Sequence, residues 1–149
     1  EEIAMLKNYL LLEQMRFKGQ FDFEIHLTPE TDPENIQLPP LLVQPFVENA
    51  ILHGLMPKNG ERQLHISFST EGNFTVCRIK DNGIGRKAAA ELKSQKTGSR
   101  PSRGMEVTRK RLDALNKNSA AQTLVFFNDL YQADGTAAGT EVVLQIPTA

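Results

Sequence analysis

The stretch "VENAILHGL", residues 47–55, places Glu48, Asn49 and His53 in the middle of an otherwise apolar helical pattern. Burying an amide or a carboxylate without a partner costs about 1–3 kcal/mol on protein mutational scales, so something must offset those three side chains. Asn49 and His53 are four residues apart and share one helix face, whereas Glu48 is turned by about 100° from Asn49. An asparagine oxygen held outward on a helix is a hard ligand suited to Mg²⁺, an ion that takes few protein groups and completes its shell with water and phosphate oxygens. The same asparagine is equally compatible with a cap or a core hydrogen bond.

A second group follows in "DNGIGRK", residues 81–87. A carboxylate at Asp81, the end of a strand pattern, can accept a hydrogen bond from an exocyclic amine. Gly83 and Gly85 allow backbone conformations that residues with a Cβ avoid, so a flat ring can approach the chain there. Read alone, "DNG" is also an ordinary turn. Gly104 sits just before a cationic helical stretch, "MEVTRKRLDALNK", where unpaired N–H groups and the positive end of the helix dipole favour phosphate. Gly139 and Thr140 open the last strand, "GTEVVLQIP".

The elements that must position these residues can be read from periodicity. "EEIAMLKNYLLLEQMRF" is a helix with Ile3, Leu6 and Leu10 on one stripe and Gly19 as its stop. "FDFEIHLT" alternates strictly, with Phe21, Phe23, Ile25 and Leu27 on one face and Asp22, Glu24 and His26 on the other. "TPETDPENIQLPP" is a proline-rich connector in which Pro39 and Pro40 suit the start of the next helix. Pro45 then falls inside the first turns, where it introduces a kink. That helix turns Leu41, Ile51 and Leu55 to the core.

"QLHISFSTEGNFTVCRIKDNG" reads as two strands around a Glu71-Gly72-Asn73 turn. His26 and His65 lie on the polar faces of their strands and read as solvated. "RKAAAELKSQKTGSRPSRG" begins as a helix and becomes a mobile surface loop. The next helix carries Met105, Thr108, Leu112 and Leu115 on its apolar side. Two strands, "TLVFFNDL" and "GTEVVLQIP", end the chain, with Thr140, Val142, Leu144 and Ile146 sharing a face. The pattern is α+β in two layers.

Composition narrows the function classes. The chain has 149 residues, the size of one domain. Its 17 basic and 18 acidic residues leave a net charge of −1, so no general field invites nucleic acid or an anionic membrane. The single cysteine, Cys77, lies in a hydrophobic strand and reads as a buried structural thiol. No apolar run approaches the roughly 18 residues of a membrane span, and the acidic start differs from a signal peptide, so the chain reads as soluble.

Taken together, "LPPLLVQPFVENAILHGL", "DNGIG", "RGMEVTRKRL" and "GTEVVLQIP" resemble, in order and spacing, the N, G1, G2 and terminal glycine-threonine elements of the GHKL ATPase superfamily. "YLLLEQMRF" followed by "LPPLLVQPFVENAILHG" is similar more narrowly to the LytS-type sensor histidine kinases. The resemblance implies the Bergerat fold, a two-layer α/β sandwich with a mixed sheet covered on one face by helices. Residues 1–18 would be a helix entering from a dimerisation segment, and residues 19–149 the ATP-binding catalytic domain.

By residue matching, Asn49 would coordinate Mg²⁺, Asp81 would read the adenine amine, and Gly83 and Gly85 would shape the adenine pocket. Arg103 and Gly104 would meet phosphate, and Thr140 would support Asp81. Glu48 would line the site as a catalytic residue, and His53 would lie near phosphate or lid. The chain departs from the family pattern at Leu52, where relatives carry lysine, at Ser102, where they carry glycine, and at Val107, where they carry asparagine. Arg103, Arg109 or Lys96 could substitute for the missing lysine.

The resemblance implies ATP and Mg²⁺ as cofactors. It implies as partners a histidine-bearing dimerisation segment, since no "PHFLFN"-like stretch occurs in these residues, and a response regulator. No nucleic acid and no direct membrane contact are implied, although the parent protein would be anchored in the bacterial inner membrane. A nucleotide-binding interaction module without transfer activity, or another GHKL ATPase or serine kinase, is the alternative.

Overall fold

The computed structural model describes residues 2–29, 31, 36, 42–97, 103–117 and 121–147. Helix α1 (Glu2–Arg16) buries Leu6 and Leu10. Its end is a Schellman motif in which the Gly19 N–H donates to the Gln14 carbonyl at 2.7 Å and the Lys18 N–H to Met15 at 3.1 Å. The left-handed residue at the first position past the helix is Lys18 (φ 55°), with Gly19 (φ 71°) following it, so the stop signal acts one residue earlier than the glycine suggests.

Strand β1 (Asp22–Leu27) is an edge of the sheet and pairs in parallel with β2 (Gln63–Glu71). From β2 the chain turns at Gly72 (φ 62°) into the antiparallel β3 (Phe74–Asp81), the hairpin read from the sequence. Strands β4 (Leu124–Tyr131) and β5 (Ala137–Pro147) form a second hairpin, and β5 pairs with β3. The sheet is therefore mixed, in the order β1-β2-β3-β5-β4.

Between β1 and β2 lies α2 (Gln44–Asn49), which continues as a π-helical turn over Ala50–Leu55. The Met56 N–H bonds back five residues to the Ile51 carbonyl at 2.9 Å. Two sequence expectations change here. Pro45 is no interior kink: it occupies the first turn of α2, where its missing N–H would have had no helical partner. The second half of the segment is also wider than an α-helix. Pro39, Pro40 and Leu41 lie outside the described residues.

Phe46, Val47, Ile51 and Leu55 from this segment press on Leu64, Ile66 and Phe68 of β2, Cys77 and Ile79 of β3, and Leu144 and Ile146 of β5, with Leu10 of α1 in the same cluster. The apolar stripe of the helix meets the apolar face of the sheet, and this places Asn49 and His53 beside it. Cys77 is fully buried, and burial pushes its thiol pKa far up, as for an inert structural cysteine.

Helix α3 (Arg86–Thr97) runs further than its helix-forming start suggested, through Lys93–Gln95, and the rest of the expected loop, Ser102 included, lies outside the described residues. Helix α4 (Arg103–Lys117) begins at Arg103, so Gly104 is in its first turn rather than before it. The N–H groups of the first four helical residues have no intrahelical partner, so that position still presents a donor. Thr108 is buried and Leu112 packs on the core, but Leu115 is exposed because the covered stripe of α4 ends at Leu112. No helix among the described residues is long and apolar enough to cross a membrane.

Candidate functional site

A cleft opens between the α2–π segment and the sheet, with about 360 Å³ of empty space counted out to its mouth. Asn49, His53 and Gly54 form its helical wall, Asp81 and Thr140 its floor, and Gly85 with Arg86 its far side. The i, i+4 pair predicted to share a face does share the cleft.

Asp81 stands at the floor because it is the last residue of β3, opposite Thr140 of β5. Only 4% of its surface is exposed. Its Oδ1 accepts the Gly83 N–H at 2.9 Å. Burial raises its carboxyl to about 6, against the lowering by hydrogen bonds from the Gly83 and Thr140 backbone N–H groups and by the charge of Lys58. A carboxylate accepts about four hydrogen bonds, so these two donors leave capacity for an amine entering from the cleft.

The walls hold Asp81 by backbone contacts that leave no room for side chains. The Ile84 N–H donates to the Gly54 carbonyl at 3.0 Å, and a Cβ built on Gly83 would lie 2.2 Å from the same oxygen. Gly83 therefore shapes the cleft from behind rather than lining it, while Gly85 (φ 87°) lines it directly. Asn82 pins the same loop to the start of β2, its Oδ1 accepting the Gln63 N–H at 2.8 Å and its Nδ2 donating to the Glu61 carbonyl at 3.2 Å.

Several cleft residues were not singled out from the sequence. Phe46 and Phe127 approach each other with ring centroids 6.3 Å apart, giving the mouth an apolar side. Arg86 makes a two-bond contact with Asp129, Nε to Oδ1 at 2.8 Å and Nη2 to Oδ2 at 3.0 Å, and its guanidinium lies 5.1 Å from the Phe127 ring centre. The hydrogen bond from Arg86 holds the Asp129 carboxyl below the usual carboxylate range. Arg86 directly follows the second glycine of "DNGIG", and its polarity in that position was the available signal.

Other expected site residues stand elsewhere. Glu48 is exposed and does not line the cleft; it faces the other way, where its charge helps to raise the Tyr9 hydroxyl well above its ordinary pKa, behind burial and Glu13. The 100° offset from Asn49 accounts for this. Arg103 and Gly104 are in the first turn of α4, and Arg109, a turn later, is exposed.

No family model matches the chain. The sensor protein LytS of Streptococcus mutans serotype c (strain ATCC 700610 / UA159) is 27% identical over 153 residues, covering 99% of this chain and 24% of that protein. The sensor histidine kinase YpdA of Escherichia coli (strain K12) is 33% identical over 105 residues, 66% of this chain and 18% of that protein. The chain thus spans less than a quarter of the length of these curated relatives. Among solved structures, the catalytic domain of histidine kinase ThkA superimposes with a TM-score of 0.59 at 15% identity, covering 99% of this chain and 92% of that one. The mixed five-stranded sheet with helices on one face is thereby the fold of a histidine kinase catalytic domain. Along nearly its whole length the chain belongs with the LytS-type sensor histidine kinases, as a segment homologous to part of their sequence and folded as such a catalytic domain.

Proposed function

We propose that the chain is the ATP-binding catalytic part of a two-component sensor histidine kinase that phosphorylates a histidine on a separate dimerisation segment, from which the phosphoryl group passes to a response regulator. The observation that carries this reading is the buried carboxylate of Asp81 at the floor of a cleft whose wall presents Asn49 and His53. Asp81 accepts the exocyclic amine of adenine, and the ring lies against the backbone at Gly85, which a side chain would obstruct. Thr140 keeps Asp81 in place through its backbone N–H.

Asn49 offers a neutral oxygen at the cleft wall, a donor suited to Mg²⁺ alongside phosphate oxygens. The bound ion would supply charge neutralisation for the phosphates. His53, one turn on, stands where the phosphate chain leaves the adenine end, and the first turn of α4 with Arg103 and Gly104 offers cationic and N–H groups to the same chain. Catalysis on this reading is positioning and charge neutralisation rather than covalent chemistry by the protein. Glu48 has no part in it, since it faces away from the cleft. Residues 1–18 form the entering helix and residues 19–149 the nucleotide domain.

Calorimetric titration with a non-hydrolysable ATP analogue, with and without Mg²⁺, tests the reading. Binding that strengthens with Mg²⁺ in the wild-type chain and loses that dependence in Asn49→Ala is the expected result. A folded chain that binds neither ATP analogue nor ADP would refute it. Transfer of phosphate to a supplied histidine-bearing dimerisation segment would then separate a kinase from a nucleotide-binding interaction module.

A further inference from the structure

On the face of the sheet turned away from the helices, Glu24 and His26 of β1 meet His65 of β2. The parallel register sets Glu24 directly opposite His65, and the period of two along a strand puts His26 on the same side as Glu24. Glu24 Oε2 lies 3.0 Å from His26 Nε2 and 3.2 Å from His65 Nδ1. The three potential ligand atoms all lie within 4.8 Å of one another. Read singly, the two histidines are solvent-facing residues of polar strand faces; the pairing of β1 with β2 makes them a cluster.

We propose that Glu24, His26 and His65 form a binding site for a divalent transition-metal cation of the Zn²⁺ class, separate from the nucleotide cleft. Zinc bonds of about 2.0–2.1 Å in tetrahedral geometry place neighbouring ligand atoms about 3.3 Å apart. The two separations from Glu24 Oε2 are close to that value, so a modest outward shift of the exposed carboxylate and rings admits the ion. Two imidazoles and one carboxylate select zinc, copper or nickel over Mg²⁺, which prefers an all-oxygen shell. The cluster thus differs in chemistry from the Asn49 position. Three protein ligands leave a fourth position open towards solvent for water or for a side chain of another molecule.

The site stands on two hydrogen-bonded strands rather than on a loop, which fixes the relative height of the three side chains. Lys80 of β3 lies opposite His65 in the next register and is the neighbouring charge that opposes the cation. Because β1 is an edge strand, a bound ion would also clip it to β2.

The chain has three histidines, and His53 is in the cleft, so the two locations can be told apart. The experiment is titration of the nucleotide-free protein with Zn²⁺ alone, followed by calorimetry and by imidazole NMR signals, with Mg²⁺ in excess as a control. The expected result is one equivalent bound, with the His26 and His65 signals displaced and His53 unmoved. His26→Ala and His65→Ala should each weaken binding at least tenfold while leaving the circular dichroism spectrum and nucleotide affinity unchanged. Absence of binding up to millimolar Zn²⁺ would overturn the proposal, as would affinity unaltered by both substitutions. Displacement of the His53 signal alone would place the ion in the cleft and overturn it equally.

Discussion

Asp81→Asn should lower adenine-nucleotide affinity roughly ten- to a hundredfold and yet leave the folded chain at least as stable as the wild type at neutral pH. The affinity loss follows from presenting an amide N–H₂ where the adenine amine needs an acceptor, a mismatch of about 1–3 kcal/mol. The stability result follows from the raised carboxyl pKa. Burial holds Asp81 near 6 in the native protein against an ordinary value of 3.8, so the folded state binds the proton more tightly than the unfolded chain. Stability linked to this group is fully present below pH 3.8 and is lost as pH rises through 6. At about 1.4 kcal/mol per pKa unit, the loss is of the order of 3 kcal/mol.

Asparagine carries no such titration and retains an oxygen for the Gly83 N–H. Urea unfolding at pH 4 and at pH 7.5 should therefore show wild type losing stability relative to the variant across that interval. Nucleotide binding to the wild type should run in the opposite sense, weakening as pH falls below 6, because the protonated carboxyl is a poorer acceptor. A folded variant with unchanged affinity would remove Asp81 from the binding site. A variant much less stable at pH 7.5 would mean that the buried charge is fully compensated.

Gly139→Ala is the substitution with the largest expected effect on the fold. Gly139 has φ 131°, in the region L-residues avoid, and a Cβ there would lie 1.9 Å from the Asp81 carbonyl oxygen. That oxygen belongs to a strand paired on both sides and cannot swing aside as a flexible side chain could. Backbone strain of about 1–3 kcal/mol and overpacking of similar size combine to roughly 3 kcal/mol or more. Denaturant titration should show this loss, whereas Gly60→Ala (φ 97°) meets nothing within 4 Å and should show the strain alone. Equal effects at the two positions would mean that β3 yields at Asp81.

Much of this architecture was legible from pattern. The alternation in "FDFEIHLT", the Gly72 turn and the apolar stripe through Ile51 and Leu55 each specify a local element whose inner face follows from its period. The carboxylate and glycines of "DNGIG" were legible as a pocket because few other purposes require that combination at a strand end. What escaped was set by tertiary contact. Arg86 and Phe127 are 41 positions apart in the chain and become neighbours only through the β4–β5 pairing, so neither position marks the cleft by itself. The π-helical turn was invisible because Ala50–Leu55 is as good an α-helical sequence as any; its backbone is decided by the loop it must meet. Glu48 reads as a site residue through its adjacency to Asn49, but on a helix adjacency in sequence means separation around the axis.

The bond from the Ile84 N–H to the Gly54 carbonyl joins a loop residue to the last turn of the π segment. Irregular loops ordinarily exchange their amide hydrogens early, through local opening. Here that opening requires the helix end to leave the sheet, because the two backbones meet too closely for either to move alone. The loop, the π turn and the ends of β3 and β5 therefore make one cooperative unit, and the Ile84 amide should exchange as slowly as those of the central strands. The recognition end of the cleft is built into the slowest-opening part of the molecule, and adjustment to a bound nucleotide falls to the elements outside it, α3 and α4.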